Sequence, residues 1–165
     1  MACRRAIGET TGSLLEDIRM DRTVIYVSKR VFPVSDAVKV IAGIVEPARL
    51  RNTGLGVTGV LVATENTFAQ VIEGPEDAIE TLMRSIARDP RHCDVTVLRR
   101  ESLSRRRFVR WSLAYQGRSA YFEGFIRPLV AQPDAPRADV DRLVDLMDRL
   151  AAPTSRRLSD EGGSP

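Results

Sequence analysis

The chain has 165 residues, of which 43% are hydrophobic, and a formal net charge of +3 at neutral pH. This length suits one compact domain with appendages, and it can bury a hydrophobic core that needs no disulfides or metals. No stretch reaches the roughly 18 apolar residues of a membrane-spanning helix, and the modest positive charge does not by itself indicate a nucleic-acid-binding protein.

The N-terminal segment shows little pattern beyond a short candidate helix at residues 14–20, so we expect residues 1–21 to form an extension. Acidic residues interrupt its apolar stretches, which argues against a secretory signal. The two cysteines, Cys3 and Cys93, are too few and too far apart for a disulfide framework or a zinc site. We therefore expect a cytoplasmic protein with reduced thiols.

The first regular elements are a strand and a helix. Residues 23–28 (T-V-I-Y-V-S) are rich in β-branched side chains, which predicts a strand buried on at least one face. Ser35 offers a helix N-cap, and apolar positions at helical spacing follow over residues 38–48. Pro47 is expected to end or kink this helix, leaving residues 49–54 as a polar stretch.

A hairpin and a second helix come next. Residues 54–64 and 67–72 flank Glu65-Asn66 and predict a β-hairpin. Pro75 suits the first turn of a helix, and Asp89-Pro90 ends it. The apolar stripe of this helix comprises Ala78, Ile79, Leu82, Met83 and Ile86.

Two further strands, at residues 94–98 and 111–115, complete the order βαββαββ. This order predicts an α+β, ferredoxin-like fold in which two helices cover one face of a mixed sheet. Beyond residue 117, four apolar side chains could dock on the sheet, and Pro133 and Pro136 mark a linker. The docking residues are Phe122, Phe125, Ile126 and Leu129, and a last amphipathic helix carries Val140, Leu143, Leu146 and Leu150. Residues 156–165 are predicted to form a frayed tail.

Two polar side chains stand out in the predicted strands. Gln70 interrupts the apolar strand F-A-Q-V-I, and a buried amide without partners costs roughly 1–3 kcal/mol. Its amide both donates and accepts, so it can satisfy two neighbours, and turning it over reverses the pattern. Tyr26 in the first strand also needs a partner. Central positions for both strands would let the two side chains meet on the helix-covered face; a solvent-facing glutamine with a core tyrosine is the alternative.

Four segments, taken in order, resemble the BLUF family, which senses blue light using FAD. They are I-Y-V-S at 25–28, N-T-G-L-G-V-T-G at 52–59, F-A-Q-V-I-E-G at 68–74, and R-D-P-R-H at 88–92 followed by R-R-F-V-R-W-S at 106–112. The resemblance extends from residue 23 to about residue 116. It is specific because it depends on all four segments at the family's spacing.

The resemblance implies a role for each matching residue. Tyr26 would give an electron and then a proton to the excited flavin, and Gln70 would switch its hydrogen bonds between that tyrosine and the flavin. Trp111 matches the third photoactive position, and Asn52 the residue that fixes the C4 carbonyl and N3 edge of the ring. The other implied contacts are Ile44 and Ile86, which would sandwich the ring, and Asp89 and His92 near the ribityl chain and ring edge.

The implied protein is a short, stand-alone photoreceptor rather than an enzyme. It would hold FAD, or FMN as an alternative, without a covalent bond, and signal to an unknown partner protein or through its own oligomer. We expect residues 22–117 to form the light-sensing domain and residues 118–165 a C-terminal helical cap, oligomerisation segment and tail. Two alternatives stay open: a ferredoxin-like interaction module that has lost light sensing, and a flavin-dependent redox enzyme.

Three positions depart from the family pattern. Leu113 stands where many members have a methionine implicated in signal transfer, which leaves signalling strength and recovery rate open. Ser85 replaces an arginine or another polar donor, for which Arg84 or Arg88 could compensate. Pro47 is also unusual within the first helix.

Other site chemistries find less support in the residues. His92 is the only histidine, which argues against a histidine-based metal cluster or catalytic relay. The basic run at residues 105–107 lies near Phe108, but the aromatic pattern of an RNA-binding sheet is missing, so we expect a solvated loop rather than a nucleic-acid site. Residues 54–56 lack the remaining glycine and the acid of a dinucleotide fingerprint and are expected to form a flexible entry to a strand.

Overall fold

The structure is a computed structural model that describes residues 20–117 and 119–152. The short helix predicted at residues 14–20 and the tail at 156–165 lie largely or wholly outside these residues. The strands are β1 (Asp21–Arg30), β2 (Thr58–Ala63), β3 (Thr67–Pro75), β4 (His92–Leu103) and β5 (Trp111–Gln116). The helices are α1 (Ala37–Gly54), α2 (Glu76–Ala87), α3 (Ala120–Val130) and α4 (Arg137–Ala151), with a 3-10 turn (Val34–Asp36) before α1.

The five strands form one mixed sheet in the order β4-β1-β3-β2-β5. The first four pair antiparallel, whereas β5 runs parallel to β2 at the edge. Strand β3 lies at the centre, flanked by β1 and β2, and the β-branched, apolar sequences of β1 and β3 are buried on both faces. The predicted α+β, ferredoxin-like arrangement is confirmed.

Helices cover both faces of the sheet. On one face, α2 packs its stripe against Val24, Tyr26 and Ile72, while α1 packs against Leu61 and Phe68. On the other face, α3 and α4 cover the remaining side chains of the central strands with a larger apolar cluster. The prediction that the C-terminal segment docks on the sheet is confirmed. The site-bearing face is therefore the one under α1 and α2.

The N-cap predicted for α1 is wrong, and of the two outcomes predicted at Pro47, an end or a kink, the end of the helix is wrong. Ser35 does not cap the helix: it lies in the 3-10 turn, and α1 begins at Ala37 after Asp36, with no side-chain cap. Pro47 does not end the helix either, because α1 continues to Gly54 and includes the polar residues 49–54. A proline inside a helix removes one hydrogen bond, to the carbonyl four residues earlier, and another donor can satisfy that carbonyl.

The glycines at residues 54–56 belong to the end of α1 rather than to a strand entry. Gly54 is the last helical residue, and the amide of Leu55 still donates to the carbonyl of Arg51 at 3.0 Å. Gly56 has φ +65°, a left-handed conformation that favours glycine after a helix end. Strand β2 therefore starts only at Thr58, although the predicted hairpin with β3 is confirmed.

None of the helices within the described ranges combines the length and apolarity that crossing a bilayer requires.

Candidate functional site

A cleft lies between α1 and α2 above the centre of the sheet. Its empty volume, including open solvent at the mouth, is about 710 Å³. Its wall combines aliphatic and aromatic side chains with polar and charged ones in similar proportion. The lining residues are Tyr26, Gly43, Ile44, Pro47, Ala48, Arg51, Leu61, Phe68, Gln70, Ser85, Ile86, Asp89, Arg91, His92 and Trp111.

Tyr26 and Gln70 meet at the floor of this cleft. They are direct partners in the register of β1 and β3, so their side chains leave the sheet on the same face. The Tyr26 hydroxyl donates a hydrogen bond to Oε1 of Gln70, and both residues are buried. The expectation that they meet under the helices is confirmed, and the alternative of a solvent-facing glutamine is excluded.

The Tyr26–Gln70 pair has a defined hydrogen-bond polarity. Burial, followed by the nearby negative charge of Asp89, raises the pKa of Tyr26 far above its ordinary value, so the phenol is a neutral donor at physiological pH. Because Oε1 of Gln70 accepts from Tyr26, the Nε2 group remains as a donor, with no partner among the described residues. The cleft floor thus presents an amide that can serve a ligand.

Asn52 and Trp111 form a second polar pair beside the cleft. With its amide in the orientation that satisfies both neighbours, Asn52 accepts from Nε1 of Trp111 at 3.2 Å and donates to the carbonyl of Ala48 at 3.3 Å. Asn52 is buried but does not line the cleft, whereas Trp111 and Ala48 do. Asn52 thus forms hydrogen bonds with two residues that line the cleft.

His92 closes one end of the cleft. Its Nε2 lies 3.0 Å from the carbonyl of Ile86 and its Nδ1 2.9 Å from Oγ of Ser28. Because a carbonyl can only accept, Nε2 carries the proton and Nδ1 accepts from the serine hydroxyl. Burial lowers the pKa of His92 despite the opposing negative charge of Asp89. The ring is thus neutral at neutral pH.

Asp89 and Arg91 tie the two walls of the cleft together. Arg91 Nε donates to both oxygens of Asp89, at 2.8 and 3.1 Å, and these hydrogen bonds hold the pKa of Asp89 below its usual value. The same guanidinium donates through Nη1 to the carbonyl of Gly43 at 3.3 Å. Pro47 has no amide hydrogen for that carbonyl. Arg91 thus compensates for the proline and explains how α1 tolerates it.

The sequence prediction missed several lining residues. Arg51 reaches the cleft and donates to Oγ of Ser85 at 3.4 Å, so the arginine in contact with Ser85 is neither Arg84 nor Arg88. Its position could have been found by continuing the helical period of Ile44 through Pro47. Phe68 shares a strand face with Gln70, as strand alternation requires.

The basic run before β5 is held in place rather than freely solvated. Arg106 pairs with Asp21 at 2.7 Å and Arg107 with Asp145 at 2.8 Å, and Phe108 is buried. The backbone amides of residues 107 and 108 also donate to buried Glu73, whose pKa burial raises. Arg105 and Arg107 are nevertheless exposed, so the expected solvated loop is confirmed in this respect, and with Phe108 buried these side chains form no open basic–aromatic surface.

Among the described residues, no three His, Cys, Asp or Glu side chains lie close enough together to hold a metal ion.

Comparison with known proteins identifies this arrangement. The family model described as "Sensors of blue-light using FAD" matches residues 22–114, more than half of the chain. The chain belongs to the BLUF family. The flavin that this family uses suits the cleft, because Ile44 and Ile86 line it from the two helices and the amide of Gln70 lines it from the sheet, as a flat ring with one polar edge requires.

Relatives and solved structures agree with the family. Photoactivated adenylate cyclase subunit beta of Euglena gracilis is 35% identical over 92 residues, which cover 55% of this chain and 10% of that protein. The blue light- and temperature-regulated antirepressor BluF of Escherichia coli (strain K12) is 37% identical over 73 residues, 44% of this chain and 18% of that protein. The chain thus spans only a small part of these relatives. The dark-state structure of BlrB, a BLUF protein, superposes with a TM-score of 0.65 at 29% identity, covering 79% of this chain and 97% of that one.

Proposed function

We propose that this BLUF chain senses blue light through a flavin held without a covalent bond between α1 and α2, with Tyr26 and Gln70 as its photoactive pair. The observation that carries the proposal is the hydrogen bond from the Tyr26 hydroxyl to Gln70 at the floor of the cleft. FAD is the family's cofactor, and FMN is an alternative because a solved structure of the related BlrP1 contains it.

The protein's part in the chemistry is to hold a donor and a reversible amide. When bound, the flavin supplies blue-light absorption and an excited state that accepts an electron. Tyr26 is a neutral, buried phenol and so has both an electron and a proton to give. Rotation of the Gln70 amide would exchange Oε1 and Nε2, and the side chain would then accept from the cleft and donate toward Tyr26. This change requires no covalent bond between the protein and the flavin.

The remaining site residues have supporting roles in the proposal. Ile44 of α1 and Ile86 of α2 line the cleft from its two helical walls and would sandwich a flat ring. Asp89 and His92 line it at the turn after α2 and would lie near the ribityl chain. Asn52 would bind the ring edge through its second amide hydrogen, which neither Ala48 nor Trp111 uses. Trp111 would then transmit changes to β5.

We further propose that the chain is a sensor and not an enzyme, and that its output passes to a partner protein or a second copy. The adenylate cyclase activity in the names of these relatives belongs to much longer proteins. The segment that matches this chain is only a tenth of their length. Residues 22–117 would be the sensing unit. The helices α3 and α4 pack on the opposite face of the strands that carry Tyr26 and Gln70, so they are well situated to receive a change in β1 or β3.

Absorption spectra before and after blue light test the mechanism. The wild-type protein reconstituted with FAD should show a reversible red shift of the flavin band, because a rearranged Gln70 amide bonds the ring edge differently. Gln70→Leu should bind FAD but show no shift, and Tyr26→Phe, which keeps the ring and removes the donor, should behave likewise. Equal light responses in wild type and Gln70→Leu would overturn the role of the amide.

Binding is measured separately from the light response. Trp111 is the only tryptophan in the chain and lines the cleft, so a flavin there should quench its fluorescence. A protein that stays colourless, with unquenched Trp111, after reconstitution would instead support an interaction module that has lost light sensing. Oxidation of NAD(P)H in the dark by the yellow protein would favour a redox enzyme.

A further inference from the structure

A second depression continues the cleft outward past the end of α2. Arg84 and Arg88 line it, together with Ser85, Asp89 and Arg91. The last three also line the main cleft, so the two spaces share a wall. We call the second one the arginine groove.

The mouth of the cleft carries positive charge that no carboxylate neutralises. Within the described chain, the guanidinium of Arg84 donates only to the neutral hydroxyl of Thr81, at 3.2 Å, and Arg88 has no side-chain partner. Arg51, at the shared wall, donates only to the hydroxyl of Ser85.

The acids near the groove are already engaged. Asp89 is paired with Arg91, and Glu80 on the same helix is paired with Arg100 of β4. By comparison, the guanidinium of Arg22 in β1 forms an ion pair with the carboxylate of Glu76, at 2.7 Å. The groove and its junction with the cleft therefore carry an excess of positive charge.

The ring of a flavin is neutral, so these arginines cannot form an ion pair with it. Guanidinium groups bind phosphate through charge-assisted hydrogen bonds. We propose that the arginine groove binds the phosphate of the flavin nucleotide whose ring occupies the cleft, so that this chain binds FMN and FAD more tightly than riboflavin. This proposal rests on the proposed flavin site, and it adds that the groove recognises the phosphate of the cofactor.

Titration of the flavin-free protein with riboflavin, FMN and FAD tests the inference, with quenching of Trp111 fluorescence as the readout. At low ionic strength, FMN and FAD should bind about tenfold more tightly than riboflavin, a difference that corresponds to ~1.4 kcal/mol. The difference should shrink at high ionic strength, because exposed charges are screened. The affinity for riboflavin should change little with salt.

The double variant Arg84→Gln/Arg88→Gln should bind FMN and FAD only as tightly as riboflavin, and its affinity for riboflavin should equal that of the wild type. Its unchanged riboflavin affinity would show that the cleft is folded. The matched control is Arg127→Gln/Arg149→Gln, which removes the same charge from exposed positions on α3 and α4, the helices on the opposite face of the sheet. This control should keep the preference for FMN and FAD.

The results that would contradict the phosphate site differ from those that would contradict the proposed flavin site. Equal affinities for riboflavin and FMN in the wild type would overturn the phosphate site and leave the flavin site intact. A preference that survives in the Arg84/Arg88 variant, or is lost equally in the control, would also overturn it. Failure of every flavin to quench Trp111 would overturn the proposed flavin site itself.

Discussion

The only histidine of the chain, His92, contacts Ser28 and the carbonyl of Ile86 through its two ring nitrogens. Burial lowers its pKa in the folded protein, so the unfolded chain takes up a proton at a higher pH than the folded one does. The free energy of unfolding should therefore fall as the pH decreases through about 6.5 toward the folded pKa. One proton limits this slope to about 1.4 kcal/mol per pH unit.

Urea unfolding of wild type and His92→Gln between about pH 5.5 and 7.5 measures this contribution. Glutamine retains a donor and an acceptor but does not titrate, so the variant should show a flatter pH dependence. Glu73, whose pKa burial raises, contributes a slope of the opposite sign but is present in both proteins and cancels in the difference. Parallel curves for the two proteins would show that His92 does not titrate on folding.

At the scale of elements, a single carboxylate joins α3 to the β2–β3 hairpin. Oε2 of Glu123 accepts from the hydroxyls of Thr64 and Thr67 and from the amide of Asn66. The hairpin includes the strand that carries Gln70. This contact therefore connects the strand of the cleft floor to the helix on the opposite face.

Glu123→Ala should lower the free energy of unfolding by about 1.5–3 kcal/mol, because the hydroxyls of Thr64 and Thr67 lose a charged acceptor and keep only weaker hydrogen bonds within the hairpin. Chemical denaturation measures the loss, and hydrogen exchange should show faster exchange in α3 and the hairpin. The control Glu46→Ala removes only an exposed helix ion pair with Arg49, 3.6 Å long, which contributes about 0.2–0.5 kcal/mol. Losses of the same size in both variants would contradict the structural role of Glu123.

At the scale of the whole molecule, the C-terminal helices share one core with the sheet. Leu143 of α4 is fully buried in the cluster that includes Val27 and Val71 of the central strands. Leu50 of α1, in contrast, is 80% exposed. The two leucines thus form a matched pair for testing whether α4 belongs to the same cooperative unit as the light-sensing sheet.

Leu143→Ala should destabilise the protein by about 2–5 kcal/mol through lost burial and a cavity, whereas Leu50→Ala should stay within about 0.5 kcal/mol of wild type. Unfolding is followed by Trp111 fluorescence and by far-ultraviolet circular dichroism. If sheet and helices unfold together, the two signals coincide in each variant. A Trp111 transition unchanged by Leu143→Ala would show instead that α4 unfolds separately.

Much of this molecule could be predicted from local pattern. Alternating and β-branched runs place the strands, and the stripe from Ala78 to Met83 places α2 and its buried face. The oddity of Gln70 in an apolar strand pointed to a buried polar partner. These features depend on side-chain periodicity, which is written in the sequence itself.

The error about where α1 ends has one physical cause. Pro47 stops a helix only if the carbonyl of Gly43 has no other donor, and the donor is Arg91, 48 residues further along the chain. Because the helix continues, Asn52 is buried instead of lying in a polar loop, and Arg51 reaches the cleft. Rules that consider only neighbouring residues cannot predict a hydrogen bond from a residue so distant in sequence.

The sequence by itself determined the element order, the family and the identity of the Tyr26 and Gln70 candidates, because each is encoded by residue type and short spacing. Only the tertiary structure decided that these two side chains are direct cross-strand partners, that Asn52 is held by Trp111, and that Arg84 and Arg88 border the cleft mouth without carboxylate partners. Those facts depend on strand register and on which distant charges find each other, and both are set by packing of the whole chain.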